Sequence, residues 1–315
     1  MKLFITGALG HIGSYLIHNL HPGDYDQVVL LDNLSTQRYC SLFDLPEGVP
    51  FQFIEEDIRT ANLEQLFEDM DVVLHLAAIT DAANSFEIRE TVESVNHQGT
   101  ERVARACAAC GCKLIFLSTT SVYEPRTVVV DEECSLEELK PQSPYAESKL
   151  RAEHCLQSVA QSDGLRFVIG RFGTIFGVSP GMRFHTAINK FVWQACMGLP
   201  ITIWSTALNQ KRPYLDLDDA VRALHFIMDR DVFDGRIYNI LTANARIYEI
   251  VELIKRFVPS LSVQSVDSPI MNQLSYQVSD ERFQSLGFEP RGSLERGIRD
   301  TVRLLQNAHW HPGTG

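Results

Sequence analysis

No apolar run in this chain approaches the ~18 residues needed to cross a bilayer. Residues Met1 to Thr6 lack the charged start, apolar stretch and small-residue cleavage site of a secretory leader, and read instead as the opening of a strand. Basic residues are scarce as well: 28 Lys and Arg face 40 Asp and Glu, a formal net charge of −12. Such a surface repels a polyanion, which argues against general nucleic-acid binding. An anionic ligand must then be held locally, by backbone amides or a few placed arginines. Repeats and low-complexity tracts are missing too. With 45% hydrophobic and 22% charged residues, disordered and collagenous classes are ruled out.

Paired cysteines are also absent. The seven present (40, 107, 110, 112, 134, 155, 196) are odd in number and irregular in spacing, as expected of a soluble cytoplasmic protein with reduced thiols. Cys107, Cys110 and Cys112 have no second pair of ligands at zinc spacing. They sit in Ala-rich helical text, ERVARACAACG, and read as small helix-packing residues. The final His309-Trp310-His311 belongs to a tail, 309–315, read as frayed rather than metal-binding. No metal is expected.

Short apolar, β-branched runs alternate with amphipathic segments through the first 175 residues. The runs are Leu3–Thr6, Val28–Leu31, Phe51–Ile54, Val72–Leu76, Leu114–Ser118 and Phe167–Gly170; the segments are Ile12–Leu20, Asn62–Glu68, Val95–Ala109 and Tyr145–Gln161. Strands that are apolar nearly throughout are covered on both faces, and alternating βα units specify an α/β fold with a Rossmann-type, doubly wound parallel sheet. After Gly177 the rhythm breaks. Pro180-Gly181 precedes a helix around Phe184–Met197 and a strand, Ile201–Trp204; Arg236–Ile240 reads as one more strand of the first sheet, and Ser293–Leu305 as a last helix. The expected division is a dinucleotide-binding domain over 1–175, completed by about 213–243, and a smaller C-terminal substrate lobe from 176–212 and 244–308.

The first strand runs into Gly7-Ala8-Leu9-Gly10-His11-Ile12-Gly13. Gly7 permits a tight turn, Gly10 a close approach of a pyrophosphate, and Gly13 close packing of helix on sheet, while the free amides at the helix start face the anion. Asp32, about twenty residues further on, ends the second strand, where a carboxylate accepts from a ribose diol and repels a 2′-phosphate. NAD is therefore preferred to NADP, with Arg38 read as a surface residue. Asp57-Ile58, after the third strand, either lies beside the adenine or has Asp57 capping the next helix.

The fifth strand ends in Ser118-Thr119-Thr120-Ser121-Val122-Tyr123, and Ser143-Pro144-Tyr145-Ala146-Glu147-Ser148-Lys149 opens a helix. Tyr145 and Lys149 lie one turn apart on one face. A free tyrosine, with a pKa near 10, is a poor base at neutral pH. An ammonium group beside it and a positive nicotinamide ring favour the phenolate; lowering the pKa by about three units takes roughly 4 kcal/mol. Thr119 is placed to hydrogen-bond a substrate oxygen while Tyr145 moves the proton.

On these motifs the chain resembles the extended short-chain dehydrogenase/reductases, and within them the nucleotide-sugar epimerases and dehydratases. The resemblance extends to Asp32-Asn33-Leu34-Ser35, His75-Leu76-Ala77-Ala78, Asn96 with Gly99-Thr100, and Arg212 ahead of Tyr214-Leu215-Asp216-Leu217-Asp218-Asp219. It implies Thr119, Tyr145 and Lys149 as the catalytic set. It also implies a cofactor site from Gly7, Gly10, His11, Ile12, Gly13, Asp32, Asn33, Ser35, Asp57, Ile58, Leu76, Ala77, Ala78, Asn96, Tyr145 and Lys149, with Asn96 in it mainly as a brace. Substrate contacts fall to Thr119, Thr120, Thr174 and Arg212, the last gripping a diphosphate or else paired with the aspartates that follow it. The 4,6-dehydratases resemble one another in an Asp-Glu pair after the catalytic hydroxyl, and uronic-acid decarboxylases in a Glu two places on; Thr120-Ser121 fits neither. The pattern is most similar to that of the UDP-glucose 4-epimerases.

The resemblance thus implies an NAD-dependent epimerase working through a 4-keto sugar. It further implies a homodimer formed through the helices around Val95–Ala109 and Tyr145–Gln161. Departures are Thr174 where an Asn is usual, Glu124 where a Gly is usual, and no second arginine near Asp267-Ser268-Pro269. The diphosphate clamp therefore looks incomplete, pointing to an unusual nucleotide sugar or a hydroxylated molecule that is not nucleotide-linked. The alternatives are an NAD(P)-dependent dehydrogenase or ketoreductase and a non-catalytic nucleotide sensor on the same scaffold.

Overall fold

The computed structural model describes residues 1–124, 129–204, 207–266 and 276–308. The terminal His309-Trp310-His311 and the segment Asp267-Ser268-Pro269 lie outside the described residues. Seven strands form one parallel sheet: β1 (Lys2–Thr6), β2 (Gln27–Asp32), β3 (Phe51–Glu55), β4 (Val72–His75), β5 (Lys113–Thr119), β6 (Phe167–Phe172) and β7 (Ile237–Ile240), in spatial order β7-β6-β5-β4-β1-β2-β3. The strand order reverses between β1 and β4. In open α/β sheets that reversal leaves a crevice beyond the carboxyl ends of the two strands.

Alternation along the strands sends side chains to two helical layers. Leu3 and Ile5 join Leu16 and Ile17 of helix α1 (His11–His18) on one face. Phe4 joins Val103, Ala104 and Cys107 of α2 (Gly99–Cys110), and Ala152, Leu156 and Val159 of α3 (Pro144–Asp163), on the other. Full burial of each large apolar side chain contributes roughly 1.5–3 kcal/mol. Cys107 and Cys112 are buried in that second layer, in keeping with their reading as packing residues.

Helix α3 has strong end signals. Ser143 accepts the Ala146 amide at 3.2 Å, Pro144 occupies the first turn, and Gly164 closes the end in the left-handed region at φ 72°. The N-cap fixes where the first turn begins, and so places Tyr145 beside the end of β5. Upstream of α2, a wide-pitched helical stretch, Glu93–Gln98, carries Asn96 into the interior.

Of residues 213–243, only β7 enters the large sheet. The strand Lys211–Asp216 pairs instead with Ala243–Arg246 and Thr174–Phe176. A separate core of Phe176, Ile188, Val192, Ile201, Tyr214, Ile250, Ile254, Ile298 and Val302 lies beneath it. The expected aspartates staple this region: Asp219 accepts from the Arg291 amide (2.7 Å), the Gly292 amide (2.8 Å) and the Thr242 hydroxyl (2.7 Å), while Asp216 accepts from the Ser293 amide at 3.0 Å. No helix among the described residues is long and apolar enough to cross a membrane.

Candidate active site

A cleft of about 760 Å³ runs from the glycine turn across the ends of β1, β4 and β5 to the second core. Its floor is built by close backbone approach. Gly7 has φ +66°, and a Cβ there would stand 2.5 Å from the Ala77 amide nitrogen. A Cβ on Gly13 would stand 2.4 Å from the Ala8 carbonyl oxygen, so the contact that demands this glycine is with the turn itself rather than with the sheet. Helix α1 starts at Gly10 with no side-chain cap, leaving its first amides to the cleft.

Asp32 accepts the Leu9 amide at 3.1 Å and the Leu34 amide at 2.9 Å, locking the end of β2 to the glycine turn. Asp57 neither caps the following helix, a role taken by Asn62, nor stands alone. It is bound by Arg59 (2.7 Å) and by the Asn33 amide group (2.9 Å), and these hold its carboxyl far below the usual range. Ser35, Ile58, Leu76, Ala77 and Ala78 line the same end, as do His11 and Ile12. His11 is tied to the Ser179 hydroxyl at 2.7 Å, and burial lowers it to about 3, so it is neutral.

Three expectations need correction. Asn96 does not line the cleft; it is buried, bonding both backbone groups of Ile79 (2.8 and 2.9 Å) and the Ser148 hydroxyl, which makes it the brace alone. Thr120 turns inward toward the Phe172 carbonyl oxygen at 3.4 Å, and Ser121 lines the cleft in its place. Arg38 is not a free surface residue: it borders the cleft near Asp32, and burial together with Arg183 lowers it to about 10.

Tyr145 faces the cleft in the first turn of α3, its amide donating to the Ser85 hydroxyl at 3.3 Å. Burial pushes the phenol up to about 12, opposed by a hydrogen bond with Thr119. Lys149 donates to the Leu117 carbonyl oxygen at 2.8 Å, with its ammonium 4.6 Å from the Phe116 ring centre. Burial lowers it to about 7. Burial thus weakens the Lys149 cation as it raises the Tyr145 phenol.

Thr174 and Arg212 both border the substrate end. Arg212 does not pair with the aspartates after it. It lies over the Tyr276 ring, 5.1 Å from its centre, and reaches Gln210 at 3.3 Å. The residues that sequence reasoning missed are Arg183 and Lys190, which also line the cleft; Arg183 stands near His11 and Arg38 and donates to Thr80 at 2.8 Å. They follow the Pro180-Gly181 break, the only textual sign that this segment folds back over the glycine turn. There the Gly181 amide donates to the Ser14 hydroxyl at 2.9 Å. Arg183 and Lys190 thus add two cations to the lining of the cleft.

The first amides of α1, left without a side-chain cap, the glycine-only approach at Ala77 and the bonded carboxylate of Asp32 fit a dinucleotide. Among the described residues no cluster could hold a metal ion. Residues 3–240 match the model of the NAD dependent epimerase/dehydratase family. The chain is 30% identical to an uncharacterised UDP-glucose epimerase of Bacillus subtilis (strain 168), covering 98% of this chain and 99% of that one. It is 29% identical to dTDP-D-glucose 4,6-dehydratase of Mus musculus, covering 96% and 87%. The UDP-glucuronic acid 4-epimerase of Bacillus cereus, solved with UDP-glucuronic acid and NAD, superposes with a TM-score of 0.87 at 27% identity, covering 97% and 99%. This chain belongs to the NAD-dependent epimerase/dehydratase family.

Proposed function

We propose that the protein is an NAD-dependent epimerase that inverts C4 of a nucleotide sugar. The observation that carries this reading is the pairing of Thr119 with Tyr145 at a strand end, Ser118 to Ser121, that offers hydroxyls and no carboxylate. Proton and hydride transfer at one carbinol carbon needs no further acid or base, whereas elimination of water does.

NAD, when bound, supplies a hydride acceptor and a positive charge beside the phenol. Gly7, the amides of α1 and Asp32 would hold its pyrophosphate and ribose. Tyr145 takes the C4 hydroxyl proton and returns it after the sugar has turned over, while Thr119 holds the oxygen through both steps. Arg183, Lys190 and Arg212 suit a diphosphate anchor about which the sugar can swing. The epimerase of Bacillus subtilis and the 4-epimerase of Bacillus cereus support this choice among the family's reactions.

Incubation with a panel of UDP-, GDP- and dTDP-sugars, followed by NMR, tests the reading. The expected product is a C4 epimer with no net change in nicotinamide absorbance. A stoichiometric change in that absorbance would instead make the protein a dehydrogenase.

The reading places the enzyme in the cytoplasm, in line with its seven free thiols, and as a homodimer joined through α2 and α3. On that outer face Glu93 bonds His97 (2.7 Å) and Arg151, and Glu101 bonds Arg105 (2.8 Å). A monomeric mass in sedimentation at micromolar concentration would count against that pairing.

A further inference from the structure

A buried ionic row runs behind the catalytic residues. Helix α3 presents Tyr145, Lys149 and Glu153 at successive turns on one face, and each meets the end of β5: Tyr145 at Thr119, Lys149 at the Leu117 carbonyl, Glu153 at the Ser118 hydroxyl. Parallel register sets Arg171 of β6 beside Ser118, and Asn239 of β7 beside Arg171. Arg171 grips Glu153 with two bonds, 3.0 and 2.6 Å, and both side chains are almost fully buried. The Arg171 guanidinium lies 4.9 Å from the Tyr123 ring centre, and the Tyr123 hydroxyl donates to Asn239 at 2.8 Å.

An ion pair removed from water is poor evidence of stabilisation, since apolar residues of equal volume do as well or better. Its position suggests another use. Lys149 is enclosed by the Phe116 ring and Leu117 carbonyl of β5, by His75 of β4, and by Tyr145 and Glu153 of its own helix, with Arg171 of β6 behind Glu153. His75 is bonded to Thr6 (2.7 Å) and Thr100 (2.9 Å), and burial lowers it to about 3, so it carries no charge at neutral pH. Among the described residues, Glu153 is the one carboxylate in that enclosure.

We propose that Glu153 is a positioning residue: fixed by Arg171 and Ser118, it holds Lys149 as a cation against the Leu117 carbonyl, where the ammonium supports Tyr145. The proposal rests on the Tyr145 reading above. Burial already lowers Lys149 to about 7, and Glu153 is the group that opposes the fall. Removing that negative charge lets the ammonium give up its proton at lower pH. The Tyr145 phenolate then loses support at working pH.

The test uses the NAD-loaded protein and two variants: Glu153→Gln, and Glu153→Gln combined with Arg171→Met, which leaves no lone buried charge if the single variant fails to fold. Lysine side-chain NMR, assigned with Lys149→Met, follows the ammonium directly and needs no substrate. In either folded variant the Lys149 midpoint should fall by about one pH unit. The alkaline limb of kcat/KM should fall with it, and kcat at neutral pH should drop about fivefold at constant KM. An unchanged or higher midpoint overturns the proposal, as does a lower midpoint with an unaltered pH profile. A rate loss with no shift of midpoint makes the pair merely structural and overturns it too. If wild-type protein epimerises nothing in the panel, the functional reading fails while the NMR midpoint still decides the role of Glu153.

Discussion

Replacing Thr119 with valine removes the hydrogen bond that opposes burial of the catalytic phenol. Its side-chain oxygen already accepts the Ser121 amide at 3.1 Å, so the hydroxyl proton is left to donate toward Tyr145. Burial raises that phenol to about 12, roughly 3 kcal/mol against ionisation. A hydrogen bond to a charged acceptor contributes roughly 1.5–3 kcal/mol. Its loss should therefore raise the Tyr145 midpoint by about one to two pH units. In the pH profile of kcat/KM, Thr119→Val should move the acid limb upward by that amount and lower the neutral-pH value roughly 10- to 100-fold. Thr119→Ser keeps the donor and should stay within about threefold of wild type. Valine also removes the bond to the Ser121 amide, at a cost of about 1 kcal/mol, which denaturant unfolding measures separately. An unmoved acid limb, or a serine variant as impaired as the valine one, would refute the reasoning.

Three further outcomes follow from the geometry. Asp219→Ala removes the acceptor of the part-buried Arg291 and Gly292 bonds at ~1 kcal/mol each, and hydrogen exchange should show the C-terminal helix Leu294–Leu305 opening before the sheet. Arg212→Met should raise KM for a nucleotide sugar about tenfold with little change in kcat, since an anchor is used equally before and during reaction; a fall in kcat alone would place the arginine elsewhere. His75 sits near 3 when folded and near 6.5 when unfolded, so its stabilising contribution is full above 6.5 and is lost as pH falls toward 3. His75→Gln should accordingly narrow the gap between denaturant midpoints at about pH 7 and about pH 5, and an equal gap would contradict the buried neutral ring.

The parts of the fold written in local text were legible. Runs covered on both faces announced the parallel strands, Ser143-Pro144 announced the start of α3, and the glycine spacing after β1 announced the turn under Ala77. What stayed hidden depends on partners distant in sequence. Pro180-Gly181 marks a break near Arg183 but does not say where its segment goes, because the contact that brings it over the glycine turn joins Gly181 to Ser14, 167 residues away. Thr120 was misplaced for a related reason. The short helical turn Thr120–Val122 rotates its hydroxyl toward Phe172 and puts Ser121 in the cleft, which alternation along a strand could not reveal.

Electrostatic sign was harder to read than position. One turn of helix correctly paired a phenol with an ammonium, and the pairing suggested that the lysine makes the tyrosine acidic. Desolvation acts on both charged forms at once, raising Tyr145 and lowering Lys149 before either can help the other. That competition is set by how completely α3, β4 and β5 exclude water, a property of the finished packing. It also explains why the neighbourhood needs an anion. A lysine enclosed by an aromatic ring, a neutral histidine and a carbonyl remains a cation only where a fixed carboxylate lies behind it, and that carboxylate must itself be fixed by an arginine from the next strand. The catalytic pair is thus the visible end of a charge arrangement whose remaining members, Glu153 and Arg171, look in the sequence like an ordinary helix glutamate and strand arginine.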